Sequence, residues 1–201
     1  MLKMSNNHEK NLYIFTAPSG AGKTTLIKRL VDYAKKQQHK VHLSISHTTR
    51  EPRAGEQSSK DYYFISDEEF NKNIIDKKYL EYAVVHGNLY GTPKTQIDQK
   101  LADGNKVFLE IDWQGALKIL KIYPKAESIF ISPPSIDQLR KRLEDRGLDT
   151  KEVIEKRIKG AALEMKKAVH FKHQIVNISL DTATKNLINI IFGENNGKNY
   201  S

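Results

Sequence analysis

The sequence predicts an α/β fold in which a parallel sheet is flanked by helices and carries an inserted subdomain. Three observations support this prediction. Short apolar runs typical of buried strands alternate with longer segments of helical period. The region from about residue 46 to residue 100 interrupts that alternation. The length of 201 residues suits one domain better than two independent cores.

Five runs of residues have the pattern of strands. Residues 12–16, 106–111 and 128–132 each contain a short apolar run, which is typical of strands buried on both faces. Residues 41–45 alternate apolar and polar side chains, and 174–177 form a shorter candidate. Because helical segments separate most of these runs, we expect crossover connections and therefore a parallel sheet.

The helices are predicted from apolar residues that recur at helical spacing. The first helix follows the strand at 12–16 and its loop, and its apolar face contains Leu26, Ile27, Leu30, Val31 and Ala34. The same kind of pattern predicts helices at about 114–121, 135–145, 151–169 and 181–192. The helices therefore lie between the predicted strands, where they can cover the sheet.

The stretch from about 46 to 100 is rich in Tyr, His, Thr and charged residues, and we interpret it as a subdomain inserted into the core. Two short strands, 62–65 and 82–85, are expected on either side of a helix at 67–76. The core of a single domain, 1–201, is then formed by residues of about 11–45 and 101–192. The polar tail, 193–201, is expected to fray.

Composition excludes several classes of function. The absence of cysteine excludes disulfides, thiolate zinc sites and a cysteine nucleophile. The apolar runs are far too short to cross a bilayer, and the first ten residues carry no secretory hydrophobic stretch. We therefore expect a soluble, cytoplasmic protein that does not bind a membrane.

The formal net charge of +9 raises the question of an anionic partner. Of the 33 basic residues only 7 are arginines, and the lysines are spread along the whole chain. A solvated lysine surface explains most of the excess, and without a basic stripe interleaved with aromatics we do not expect nucleic-acid binding. Arginine is the better bidentate ligand for phosphate, so the arginine positions are informative.

The strongest local signal is the segment Ala17-Pro18-Ser19-Gly20-Ala21-Gly22-Lys23-Thr24, which follows a strand and opens a helix. It matches a phosphate-binding loop, with Ala17 where the strict pattern has glycine. Glycines let backbone N–H groups converge on an anion, and the helix N-terminus adds positive potential. The loop predicts binding of a nucleoside triphosphate, with Lys23 at the β- and γ-phosphates and the Thr24 hydroxyl as a ligand of Mg²⁺.

A second group of residues indicates the phosphate acceptor. Arg50 and Arg53 lie beyond a predicted strand end, and Tyr62 and Tyr90 follow. Two guanidinium groups and two phenol hydroxyls suit one phosphate monoester. A carboxylate such as Glu81 suits guanine, whose N1–H and exocyclic amine are adjacent donors, whereas adenine has no such pair on that edge.

Each of these residues also has a purely structural explanation that the residues alone leave open. The two arginines could be solvated loop charges, and Glu81 could be an exposed ion-pair partner. The tyrosines could pack with hydrated hydroxyls. Asp112 lies at a strand's carboxyl end, where α/β proteins place functional groups, and it could instead cap the helix that follows.

Taken together, these motifs resemble those of the guanylate kinases over nearly the whole chain. The resemblance is carried by Ser19-Gly20-Ala21-Gly22-Lys23, Ser46-His47-Thr48-Thr49-Arg50 with Pro52-Arg53 and Gly55-Glu56, Tyr90-Gly91-Thr92, Ile111-Asp112-Trp113-Gln114-Gly115, Pro133-Pro134-Ser135, and Arg142 with Arg146-Gly147. It implies a fold of the phosphate-loop NTPase type. In that fold a GMP-binding subdomain would span about 46–100 and a helical lid about 142–157.

The resemblance implies an enzyme that uses Mg²⁺ and transfers a phosphoryl group from ATP to GMP, with dGMP left open as an acceptor. ATP would be bound by the loop, namely Ala17, Pro18, Ser19, Gly20, Ala21, Gly22, Lys23, Thr24 and Thr25. The GMP site would comprise Ser46, Arg50, Arg53, Tyr62, Glu81, Tyr90, Thr92 and Asp112. The catalytic group would comprise Lys23, Arg50, Arg142, Arg146 and Arg157.

The chain departs from the family pattern at Ala17, at Glu110 and Ser59, where Asp and Gly are usual, and at Ile178-Ser179, which replaces an acidic pair. Two other functions stay open. One is an interaction module that keeps the fold without catalysis, against which the intact Gly22-Lys23-Thr24 and the lid arginines argue. The other is a kinase for a different phosphorylated acceptor. The sequence does not determine the oligomeric state and leaves a homo-oligomer open.

Overall fold

The computed structural model describes residues 9–53, 55–85, 87–147 and 149–194. Positions 195–201 of the predicted tail lie outside the described residues. The chain divides into two compact units. The first contains Lys40–Glu127 with the described part of Met1–Ile14, and the second contains Phe15–His39 with the described part of Ser128–Ser201.

The predicted parallel sheet is confirmed. Its strands are β1 (Leu12–Thr16), β2 (Val41–Ser44), β7 (Lys106–Glu110), β8 (Glu127–Ser132) and β9 (His173–Val176). Their order is β2-β7-β1-β8-β9. β2 pairs with β7 in parallel, and β8 pairs with β9 in parallel. The residues of β1 are all buried, as the continuous apolar run predicted for a central strand.

Four helices belong to the second unit: α1 (Lys23–Lys36), α5 (Ile136–Asp145), α6 (Lys151–Met165) and α7 (Leu180–Phe192). α1 packs against α7, and α5 packs against α6. The α5–α6 contact is a compact apolar cluster of Leu139, Leu143, Ile154, Ile158 and Ala161. Helix α6 ends four residues before the predicted boundary, and a short 3-10 turn, Ala168–His170, follows it.

The helix starts are set by local capping. Ser135, Thr150 and Ser179 precede α5, α6 and α7, and each side-chain oxygen accepts a hydrogen bond from a backbone N–H in the first turn. Because caps and apolar spacing are both local features, these starts lie within one residue of the predicted ones. In the described part of the chain, no helix is both long and apolar enough to cross a membrane.

The smaller sheet belongs to the first unit, and its strands come from the inserted region. Its strands are β3 (His47–Thr48), β4 (Tyr63–Phe64), β5 (Tyr79–Val85) and β6 (Asn88–Pro93), in the order β4-β3-β6-β5. β5 and β6 form an antiparallel hairpin in which Glu81 lies opposite Thr92. The helices of this unit are α2 (Asp67–Ile75), α3 (Lys94–Ala102) and α4 (Trp113–Ile122).

Two strands and one α-helix of the first unit, β3, β6 and α3, are absent from the sequence-based prediction. β6 contains Gly91 and Pro93, which are unfavourable in a strand, and it forms because β5 and β3 pair on its two sides. α3 buries only Ile97 and Leu101, so its apolar period is weak. The predicted helix at 67–76 is confirmed as α2, which ends one residue earlier than predicted.

Candidate functional site

The loop between β1 and α1 is shaped by two glycines. Gly20 and Gly22 have φ angles of 90° and 94°, in the left-handed region that side chains disfavour. The Ala21 N–H donates to the Pro18 carbonyl at 3.1 Å and closes the turn. Gly22 is the N-cap of α1 and contributes no side-chain hydrogen bond. The loop therefore has the backbone form of an anion-binding turn at a helix start.

The side chains of the predicted ATP site differ in exposure. Ala17, Pro18 and Ala21 are buried, and Gly20, Gly22 and Lys23 are half-buried. Ser19, Thr24 and Thr25 are exposed. A Cβ added to Gly20 would lie 2.9 Å from Leu143 Cδ2, so helix α5 packs directly under the loop.

Asn177, directly after β9, holds the loop from one side. Its Nδ2 donates to the Ala21 carbonyl at 2.8 Å, and a Cβ on Gly22 would lie 2.5 Å from the same nitrogen. The Asn177 backbone carbonyl accepts a hydrogen bond from Arg142 Nη2 at 2.9 Å. Arg142 is thus connected to the loop through one buried residue.

The other lid arginines have different surroundings. Arg157 pairs with Asp149, with 2.9 Å between Nη1 and the carboxylate. Arg146 is the exposed C-cap residue of α5. Arg140, which lies two residues before Arg142 on α5, is half-buried and pairs with Glu155. The roles of Arg142, Arg146 and Arg157 toward ATP therefore stay predictions.

In the first unit, Arg50 is the centre of a polar cluster. Its Nε donates to the Tyr90 hydroxyl at 3.1 Å, and its Nη2 lies 2.9 Å from each oxygen of Glu56. Its guanidinium carbon lies 5.5 Å from the centre of the Tyr62 ring. Burial lowers the pKa of Arg50, but the hydrogen bonds with Glu56 and Tyr90 outweigh it, and the pKa lies above its ordinary value. Arg50 is therefore a permanently charged, oriented fork, not a solvated loop charge.

Two neighbours complete this cluster. The rings of Tyr62 and Tyr90 meet edge to face at 5.9 Å. Burial, with a contribution from the charge of Glu110, raises the pKa of Tyr62 far above its ordinary value, so its hydroxyl stays protonated. Arg53 is exposed, and its backbone N–H donates to Glu56 Oε2 at 2.8 Å. The structure brings Arg50, Tyr62 and Tyr90 into direct contact, with the backbone of Arg53 tied to the same carboxylate.

Glu81 lies on β5 and is 7% exposed, so the alternative of an exposed ion-pair partner is wrong. Its Oε1 accepts a 2.6 Å hydrogen bond from the Thr92 hydroxyl. Its Oε2 is buried without a hydrogen-bond partner within the described ranges. Burial raises the pKa of Glu81 to about 7; the Thr92 hydrogen bond opposes this shift and the charge of Asp112 adds to it.

Asp112 forms the N-cap of α4. Its Oδ1 accepts from the N–H groups of Gln114 at 2.7 Å and Gly115 at 3.3 Å. The capping role that the sequence left open is therefore confirmed, and the same carboxylate acts electrostatically on Glu81. Ser46 is buried, and its carbonyl accepts from the Tyr63 N–H at 2.9 Å.

Sequence reasoning missed two residues of these clusters. Glu56 stands within a quoted motif but was not assigned to the site, although it binds Arg50 through both oxygens. Asn177 was not singled out either. Its position directly after β9, at the carboxyl edge of a parallel sheet, is the signal that could have identified it.

Comparisons with known proteins show which family this chain resembles. The family model described as guanylate kinase matches residues 9–194. The guanylate kinase of Dechloromonas aromatica (strain RCB) is 46% identical over 177 residues, which cover 88% of this chain and 86% of that protein. The guanylate kinase of Escherichia coli (strain K12) is 46% identical over 183 residues, covering 91% and 87%.

A solved structure is also similar. The crystal structure of guanylate kinase from Anaplasma phagocytophilum matches with a TM-score of 0.75 and 32% sequence identity, covering 90% of this chain and 84% of that one. The chain therefore belongs to the guanylate kinase family.

Proposed function

We propose that this protein is an ATP:GMP phosphotransferase that produces ADP and GDP. The observation that carries the proposal is the buried carboxylate of Glu81, with one oxygen bound by Thr92 and the other without a hydrogen-bond partner among the described residues. A buried polar atom left unpaired costs about 1–3 kcal/mol, so a ligand with matching donors is strongly favoured there. Guanine presents N1–H and an exocyclic amine side by side, and adenine does not.

The phosphate of GMP would be bound by the Arg50 cluster. Glu56 and Tyr90 hold the Arg50 guanidinium in one orientation, so little side-chain entropy is lost when it binds an anion. The hydroxyls of Tyr62 and Tyr90 can donate hydrogen bonds to phosphate oxygens. Exposed Arg53 would add a second positive charge, which suits a monoester that carries nearly two negative charges.

ATP would be bound by residues 17–25, with backbone N–H groups and Lys23 at the phosphates. No group of three or more His, Asp or Glu side chains that could hold a metal occurs in residues 9–194 outside the undescribed positions 54, 86 and 148. The exposed Thr24 hydroxyl is the protein ligand that we assign to Mg²⁺. Mg²⁺ would neutralise charge on the β- and γ-phosphates.

The residues of this chain would act by alignment and charge neutralisation. The phosphate of GMP is already ionised near neutral pH, so no strong general base is required. Arg50 would orient the acceptor oxygen, and Lys23, Arg142, Arg146 and Arg157 would stabilise charge on the transferred group. The predicted lid would exclude water, which otherwise competes as acceptor.

A coupled assay of ADP release tests this function. It compares GMP, AMP, dTMP and a ribose bisphosphate as acceptors at equal concentration. We expect GMP to be preferred over AMP by a factor on the order of 10³ or more, because AMP leaves the Glu81 carboxylate unpaired. Glu81→Gln should remove most of that preference. A higher rate with another acceptor would contradict the GMP assignment, and no release with any acceptor would favour a non-catalytic module.

A further inference from the structure

Gly115, the third residue of α4, lies against the carboxylate of Glu81. A Cβ built on Gly115 would lie 2.6 Å from Glu81 Oε2, 2.9 Å from its Cδ and 3.3 Å from its Oε1. Non-bonded carbon contacts are favourable only near 3.5–4.0 Å, so the first two separations are repulsive. Any side chain at position 115 therefore competes for space with the carboxylate as it is now placed.

Neither the Glu81 carboxylate nor the start of α4 can move without losing hydrogen bonds. Glu81 is opposite Thr92 in the β5–β6 hairpin, and the Thr92 hydroxyl holds Oε1. The start of α4 is held by Asp112, whose side chain binds the Gly115 N–H and whose carbonyl accepts from the Ala116 N–H at 2.9 Å. Gly115 and Ala116 are both buried. Of these groups, the end of the Glu81 side chain has the most rotational freedom, so it is the one that would be displaced.

We propose that Gly115 is a positioning residue for acceptor selection: its missing side chain provides the space in which Glu81 presents Oε2. This inference rests on the proposed function, because it assumes that Glu81 contacts the guanine of GMP. Gly115 touches the carboxylate and not the substrate. Its substitution would turn or withdraw Oε2 while leaving the fold of α4 in place.

The test is Gly115→Ala. Alanine is a better helix former than glycine. If Gly115 were only a residue of the helix, the variant should therefore be as stable as the unmodified protein or more stable, and its kinetics should be normal. Displacement of the carboxylate instead predicts that KM for GMP rises about tenfold or more and that the GMP-over-AMP preference falls by a similar factor. KM for ATP should stay unchanged. This split between the two substrates is a readout that a general loss of stability would not produce.

Gly160→Ala is the matched control. Gly160 also lies inside a helix, α6, and an added Cβ there meets nothing within 4 Å. It should leave both KM values unchanged. If Gly115→Ala behaves like Gly160→Ala in an enzyme that phosphorylates GMP, the inference is wrong. If the unmodified enzyme does not phosphorylate GMP, the proposed function fails instead.

A double-mutant cycle with Glu81→Ala isolates the contact. Without the carboxylate there is nothing for the new Cβ to displace, so Gly115→Ala should not weaken GMP binding further in that background. Equal effects in the two backgrounds would overturn the inference. Should Gly115→Ala alone fail to fold, the double variant should recover folding because the clashing group is gone, and failure of both would count against the proposal.

Discussion

Thr92 Oγ1 donates a 2.6 Å hydrogen bond to Glu81 Oε1 across the β5–β6 hairpin, where the two residues are register partners. Both side chains are buried, at 1% and 7% exposure, so the bond forms away from water and holds the carboxylate at a fixed angle. The direction of the unpaired Oε2 depends on this bond. In the proposed function, recognition of the acceptor base would thus depend on a hydroxyl that we do not expect to contact the discriminating edge of that base.

Thr92→Val tests this dependence. The substitution keeps the shape of the side chain and removes the hydroxyl, which lowers the pKa of Glu81 in the native protein. A hydrogen bond to a charged group is worth about 1.5–3 kcal/mol, so we expect KM for GMP to rise about tenfold or more. Initial-rate kinetics at fixed ATP measures this. Exposed Thr95 on α3 provides the control, Thr95→Val, and equal KM values for both variants would contradict the prediction.

The pH dependence of stability should report on Glu81. Its pKa in the folded protein, about 7, lies above the ordinary value of 4.5, because burial disfavours the charged form. The protonated group therefore adds stability that is complete below pH 4.5 and is lost as the pH rises through 7. For those two pKa values, linkage gives a loss of about 2 kcal/mol between about pH 5.5 and pH 8.

Denaturant unfolding of the ligand-free protein at about pH 5.5 and pH 8 measures this loss. Glu81→Gln carries no charge at either pH, so the Glu81 contribution should vanish in that variant. The difference in unfolding free energy between the two proteins should then change with pH by about 2 kcal/mol, in favour of the variant at high pH. The same pH dependence in both proteins would show that Glu81 does not titrate in this range.

Lys23→Ala should abolish turnover while leaving GMP binding largely intact. Lys23 is the first residue of α1, and removing its charge from the transferred phosphate should lower kcat by a factor on the order of 10³ or more. Calorimetry with GMP alone measures the binding that should survive. Lys35→Ala, on the exposed last turn of the same helix, is the charge-matched control. Normal turnover in Lys23→Ala would refute the mechanism.

Asn177→Asp should weaken ATP binding selectively. Asn177 Nδ2 donates to the Ala21 carbonyl, and a carboxylate there would place an acceptor against an acceptor in a buried position. We expect KM for ATP to rise about tenfold or more while KM for GMP changes little. Asn186→Asp on the exposed side of α7 introduces the same charge as a control. Equal effects on both substrates would assign Asn177 a general structural role.

Much of the fold could be predicted because its determinants are close in sequence. The bounds of β1 were predicted as observed, and α2, α4, α5 and α7 lie within one residue of their predicted ends. A serine cap such as Ser66 or Ser135 and the apolar spacing after it lie within a few residues of each other. β6 was missed because Gly91 and Pro93 are poor strand residues whose pairing depends on distant strands, and α3 was missed because its apolar period is weak.

The candidate sites also combine features that nearby residues set and features that depend on contacts between distant parts of the chain. The sequence by itself determined which groups are candidates for the chemistry, since the loop at 17–24 is contiguous and Arg50, Arg53 and Glu81 are residue types that suit phosphate and guanine. Only the tertiary structure decided how those groups are held. Asn177 reaches Ala21 from 156 positions away, and Gly115 makes room for Glu81 from another element. Hydrogen bonds and van der Waals contacts act over a few ångströms of space, whatever the separation along the chain.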